Sequence, residues 1–140
     1  MKIFLDTNVM IDLIIERQPF YKEVATIITL AEKSNIEIYT SSLSFVNTFY
    51  VASKNYPKEH VFKSLKKFRI ICNVSLIDEF NVDKSLISNF EDFEDAVQYN
   101  SAVHHNCDFI ITRDKNGFKN SKITVLSPKE FLVYFKKNKF

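Results

Sequence analysis

Four aspartates stand where carboxylates can do chemistry: Asp6, Asp92, Asp95 and Asp114. Asp6 ends the short apolar run Ile3-Phe4-Leu5, and Asp114 follows the run Phe109-Ile110-Ile111-Thr112 after one arginine. Asp95 lies on a helical segment just before that second run. Asp92 precedes it by three residues, on the same face of a helix. If the two runs are neighbouring parallel strands, their carboxyl ends open on one patch, where open α/β sheets bind ligands. Carboxylates packed so closely repel one another and would bind protons. A hard divalent cation, Mg²⁺ or Mn²⁺, removes the conflict by taking one or two carboxylates and filling its shell with waters and phosphate oxygens. Such a site activates a water and stabilises the charge that develops on a phosphodiester. Taken singly, each aspartate has a plainer reading as a loop-start or helix-cap residue; the ordered set is what points to a metal.

The elements that must hold these acids follow from the hydrophobic pattern. Lys2–Leu5, Ile36–Thr40, Arg69–Val74, Phe109–Thr112 and Lys122–Leu126 read as short strands. Between them, Phe20 to Lys33 repeats its apolar residues Val24, Ile27, Ile28 and Ala31 at helical spacing after Pro19. Leu43 to Lys54 reads as a helix capped among Ser41 and Ser42, and Pro57 to Lys67 as another with Val61, Phe62, Leu65 and Phe68 inward. Helices are also expected over Asp78 to Asn89, over Glu91 to His105, and after Ser127-Pro128. Strands alternating with helices predict a three-layer α/β/α sandwich around a mainly parallel central sheet. The 140 residues fall within the usual range of one domain spanning 1–140, and 14 Phe and 6 Tyr supply a core.

Composition excludes several classes. Gly117 is the only glycine, and a dinucleotide fingerprint or a P-loop each needs at least two. Cys72 and Cys107 form no CxxC pair, so neither a zinc ribbon nor a redox motif is indicated. Two reduced thiols, no leader and no long apolar stretch fit a cytoplasmic protein without a membrane segment. Net charge is only +2, although Lys58, Lys63, Lys66, Lys67 and Arg69 cluster, as do Lys129, Lys136, Lys137 and Lys139. Solvated helix faces explain such clusters; contact with phosphates is the sharper reading.

Three stretches together resemble the PIN-domain family. Phe4-Leu5-Asp6-Thr7-Asn8-Val9 is similar to its opening strand and Asp-Thr-Asn step, and Asp92-Phe93-Glu94-Asp95-Ala96-Val97-Gln98 to its helix with an Asp-Ala step. Cys107 to Asp114 is similar to its late strand and acid. The resemblance covers essentially the whole chain. It implies a Mg²⁺- or Mn²⁺-dependent ribonuclease with Asp6, Asp95 and Asp114 as catalytic and metal-binding acids, and Asp92 as an optional fourth. Thr7, Asn8 and Thr112 match positions that shape the site or hold its waters. Many small bacterial members, similar to the VapC group, are toxins of toxin–antitoxin pairs, so an RNA substrate, an antitoxin protein and a homodimer are implied. One position departs from the pattern: Asn47 stands where the family usually carries a Glu. An amide brings an oxygen but no charge, so metal binding there should be weaker unless Asp92 or Glu94 compensates.

Two alternatives remain beside the ribonuclease. A catalytically weak PIN module binding RNA or a protein is favoured by Asn47. An aspartyl phosphatase with Asp6 as nucleophile fits poorly, because Asn8 stands where a second acid is wanted. His104-His105 with Cys107 and Asp108 is expected to be a helix end rather than a metal site, since adjacent helix residues diverge by about 100°. Exposed Phe or Tyr could stack on unpaired bases, but the sequence does not select which.

Overall fold

The computed structural model describes residues 1–138. Lys139, in the C-terminal basic cluster, lies outside the described residues. Five strands form one sheet: β1 (Lys2–Leu5), β2 (Glu37–Ser41), β3 (Asn73–Ser75), β4 (Phe109–Ile111) and β5 (Thr124–Leu126). Their order is β3-β2-β1-β4-β5, and each neighbouring pair runs parallel. The expected sheet is thus parallel at every pairing, not only mainly so. β1 is central, with Ile3 paired to both Ile38 and Phe109. The chain builds outward from β1 to β3 and then returns to lay β4 on its other side. That reversal puts a crevice between the carboxyl ends of β1 and β4.

Strand alternation sends Ile3, Leu5, Phe109 and Ile111 to one face and Phe4 and Ile110 to the other. The first face carries α1 (Thr7–Ile14), α2 (Tyr21–Lys33), α3 (Ser42–Ala52), α4 (Lys58–Ile71) and α7 (Pro128–Lys137). Val24, Ile27 and Ala31 of α2, and Val61, Leu65 and Phe68 of α4, recur at helical spacing and are buried there. On the second face α6 (Phe93–His104) brings Ala102 onto Phe4, and α5 (Glu79–Leu86) packs on α6. Burying each large apolar side chain stabilises by roughly 1.5–3 kcal/mol over exposure. Ser127 and Glu130 close a reciprocal capping box at the start of α7, with Pro128 in its first turn. Among the described residues no helix is long and apolar enough to cross a membrane.

Three local expectations need correction. Arg69 to Ile71 is the last turn of α4 rather than the start of a strand, so β3 begins only at Asn73. Phe62 is 53% exposed and leans on Phe49, ring centroids 4.7 Å apart, instead of pointing inward. Thr7–Ile14, read as no element, is a helix that begins directly after Asp6.

Candidate active site

Asp6 sits where β1 becomes α1. Its amide continues the sheet ladder to the Ile111 carbonyl at 3.0 Å, and its carboxylate caps the helix by accepting from the Thr7 amide at 2.8 Å. The position favours negative charge, because unpaired amides and the helix dipole point at it. The Thr112 hydroxyl donates to the other carboxylate oxygen at 2.8 Å. That hydroxyl in turn accepts from the Asn8 amide at 3.1 Å and from the Asp114 backbone at 3.0 Å. The Asn8 side-chain oxygen accepts from the Arg113 amide at 3.2 Å. Thr112 and Asn8 thus bolt the end of β4 onto the start of α1, which fixes where Asp114 leaves the sheet.

Beneath Asp6 lies a fully buried polar layer that no local pattern announced. The Gln98 amide nitrogen, on α6, is 2.9 Å from the Thr7 hydroxyl, 2.6 Å from the Ser44 hydroxyl and 3.4 Å from Asp6. Its oxygen accepts from the Ser41 hydroxyl, and the Thr7 and Ser44 hydroxyls lie 2.8 Å apart. A carboxylate neighbour dictates which end of the amide faces Asp6, since only the NH₂ can donate.

Asp95 stands in the first turn of α6, whose N-cap is Asp92: the Asp92 carboxylate accepts from the Asp95 amide at 3.0 Å. Asp92 is therefore outside the helix rather than on its face, although it borders the same pocket. Asp114 opens the short 3₁₀ turn Lys115–Phe118 and is exposed. The Asp95 and Asp114 carboxylates both close on Gly117, where an added Cβ would collide with Asp95 Oδ2 and lie 3.3 Å from Asp114 Oδ2. Gly117 has no positive φ, so the glycine supplies space there and not conformation.

One open pocket is lined by Asp6, Asp92, Glu94, Asp95 and Asp114, with Thr7, Asn8 and Asn47 between them. All the acids expected from the sequence are thus brought to the carboxyl edge of the sheet. The Asn47 amide reaches Glu94 at 3.4 Å, so an acid from α6 stands beside the position that lacks one. Burial raises the Asp6 pKa above the ordinary aspartate range, against the hydrogen bonds from Thr112, Thr7 and Gln98. Burial, then Asp6, Asp92, Asp114 and Glu94, push Asp95 up to about 7. Among the described residues no three acidic, imidazole or thiol groups form a closed metal cage. A hard cation asks for only one or two carboxylates, with waters. The donors fit such an ion: the lining offers carboxylate, amide and hydroxyl oxygens and neither thiol nor imidazole.

Residues 2–116 match the PIN domain family. The chain belongs to that family. The ribonuclease VapC1 of Aquifex aeolicus (strain VF5) is 30% identical over 135 residues, 93% of this chain and 92% of its own. Among solved structures, the PIN domain is similar in fold to VapBC-1 from nontypeable Haemophilus influenzae (TM-score 0.66, 18% identity, 92% of this chain and 99% of that one). It is also similar to Mycobacterium tuberculosis VapC20, a sarcin–ricin loop cleaving toxin (TM-score 0.66, 14% identity, 82% and 92%). Within this PIN domain the residues missed from sequence are Gln98, Ser41, Ser44 and the spacing role of Gly117. Gly117 left one trace, as the only glycine of the chain. The hydroxyl and amide layer left none, because its members are 3 to 91 positions apart.

Proposed function

We propose that the chain is a metal-dependent endoribonuclease that hydrolyses RNA phosphodiester bonds, the toxin of a toxin–antitoxin pair. The observation that carries the reading is the buried Asp6 carboxylate, held by neutral donors only and facing further acids across one open pocket. The relative named a ribonuclease and the fold shared with solved toxins support it. On this reading Asp6, Asp95 and Asp114 hold Mg²⁺ or Mn²⁺, with Asp92 or Glu94 beside them. Bound there, the ion supplies a water made nucleophilic and positive charge opposite the phosphate. Thr112 and Gln98 keep Asp6 from turning, Asn8 ties the start of α1 to the end of β4, and Thr7 ties it to Ser44 and Gln98. Asp95, pushed up to about 7, would have to release its proton to solvent before it could hold the ion, so affinity should fall as pH drops below that value. A cytoplasmic setting, a homodimer and an antitoxin protein complete the reading.

A second reading, a PIN module that binds RNA or a protein without efficient cleavage, is favoured by the uncharged Asn47. The deciding experiment is RNA cleavage titrated with Mg²⁺ and Mn²⁺, against EDTA, for the parent, Asp92→Asn and Asn47→Glu. Asparagine caps helices as well as aspartate does, so Asp92→Asn removes charge and keeps the cap. Loss of cleavage in Asp92→Asn makes it the fourth acid. Retention there, with a lower metal requirement in Asn47→Glu, makes Asn47 the weak point. Absence of cleavage in all three proteins would favour the binding module.

A further inference from the structure

The acid pocket has a wall that the metal chemistry does not use. Tyr50 lies three residues after Asn47 on α3, hence on the same side of the helix, and lines the pocket while remaining 67% exposed. Among the described residues the other exposed aromatic side chains, Tyr56, Phe62, Phe80 and Phe93, do not line it. Four residues further on, the Lys54 ammonium lies 4.9 Å from the Tyr50 ring centroid. Elsewhere near the site, Lys115 and Lys119 are paired with Glu130 and Glu91, and Arg113 with Asp12. Lys54 has no carboxylate partner among the described residues.

We propose that Tyr50 and Lys54 form a nucleobase subsite, on which an unpaired base of an RNA strand stacks while its neighbouring phosphate enters the acid pocket. The proposal rests on the ribonuclease reading and adds to it the residues that would hold a base beside the phosphate. Five carboxylates and no lysine or arginine line the pocket, so the pocket itself offers a strand no attractive charge. A ring held at its rim supplies attraction without charge, since every base has a π face. Lys54 adds the phosphate contact that the pocket lacks. A rigid duplex keeps its bases stacked and gains nothing from the ring.

Two measurements test this. In steady-state cleavage of single-stranded RNA, Tyr50→Ala should raise KM about ten-fold, the scale of one base–aromatic stack, with the loss falling there rather than in kcat. Tyr50→Phe should restore the parent KM, and Lys54→Ala should flatten its salt dependence. The second readout needs no cleavage. The chain has no tryptophan, so Tyr50→Trp in an Asp6→Asn background gives a single indole at the rim. Hexaadenylate should quench its emission saturably, and a duplex of the same length should not. Tyr50→Ala cleaving with the parent KM, or an indole blind to hexaadenylate, overturns the subsite. Quenching by an arginine-rich peptide and not by hexaadenylate also overturns it, and gives the face to a protein partner. If the parent cuts no RNA, the ribonuclease reading fails while the indole titration still decides the stacking.

Discussion

Asp6 and Asp12 lie six residues apart at either end of α1, and both are buried, at 6% and 0% exposure. They are served by adjacent residues at the end of β4, in opposite ways. Asp12 takes Arg113 in a two-pronged pair, Nε to Oδ2 at 2.6 Å and Nη2 to Oδ1 at 3.3 Å, with Arg17 Nε 3.8 Å away. The Arg113 guanidinium also lies 4.0 Å over the Phe20 ring. Asp6 takes Thr112, the residue before, and other neutral donors, and its nearest charged neighbours are more acids. A buried carboxylate with its own guanidinium is complete and holds two segments together. A buried carboxylate given hydrogen bonds but no cation is left for a cation from outside. The difference separates a structural pair from the proposed metal site a helix length away.

The sharpest way to break the comparison is to neutralise each end. Asp6→Asn should lower RNA cleavage on the order of 10²–10³-fold or below detection, the scale of losing one electrostatic group in a preorganised site. Its melting midpoint should hold or rise, because a charge that burial disfavours has gone. Arg113→Ala should do the reverse to the fold, stranding the Asp12 charge and costing about 3 kcal/mol of stability in a urea titration. A Asp6→Asn protein that melts well below the parent would make Asp6 another structural pair and undo the contrast.

Gln98 gives the next test, because it belongs to one end only. Gln98→Leu keeps the volume but removes the amide that steadies Asp6 and Thr7. The metal concentration for half-maximal cleavage should rise about 10–100-fold, the usual loss when a partner of a metal-binding side chain is removed. Cleavage that keeps the parent's metal requirement would show that Thr112 and the Thr7 amide suffice.

These two ends also differ in how far the sequence disclosed them. Asp6, Asp95 and Asp114 were legible because each sits beside an apolar strand or on the helix before it, and a parallel sheet brings strand ends together. α1 is hard to read because only eight residues follow directly on the apolar strand, too few for a helical period to repeat. With it escaped Asp12, a buried charge whose partner is 101 positions away. β3 was placed too early because Ile70 and Ile71 read as strand, yet Ile70 is 84% exposed at the end of α4. Asp92 was assigned to a helix face because spacing alone cannot distinguish a cap from the first turn.

The smallest effect concerns Asp95, and it tests whether the acids at the Asp6 end act as one group. In an unfolded chain an aspartate titrates near ~3.9, whereas the folded Asp95 is pushed up to about 7. Between those values the folded state holds a proton that the unfolded state has released. Without metal, stability from this group is therefore fully present at the acid end of the window and is lost as pH rises through 7. Burial of Asp6, also raised, adds to the same slope. Asp95 is partly open to solvent, so screening keeps the change in melting midpoint to a few degrees. Asp95→Asn should then melt above the parent at about pH 8 and close to it at about pH 5, measured in EDTA. Saturating Mg²⁺ should reverse the order at the higher pH, because the ion stabilises only the protein that binds it. Arg113→Ala, acting at the other end, should lower the midpoint at both pH values and leave this slope in place. A slope that survives Asp95→Asn undiminished would mean that Asp95 is not its source, and one that Arg113→Ala removes would mean the two ends of α1 titrate as one body.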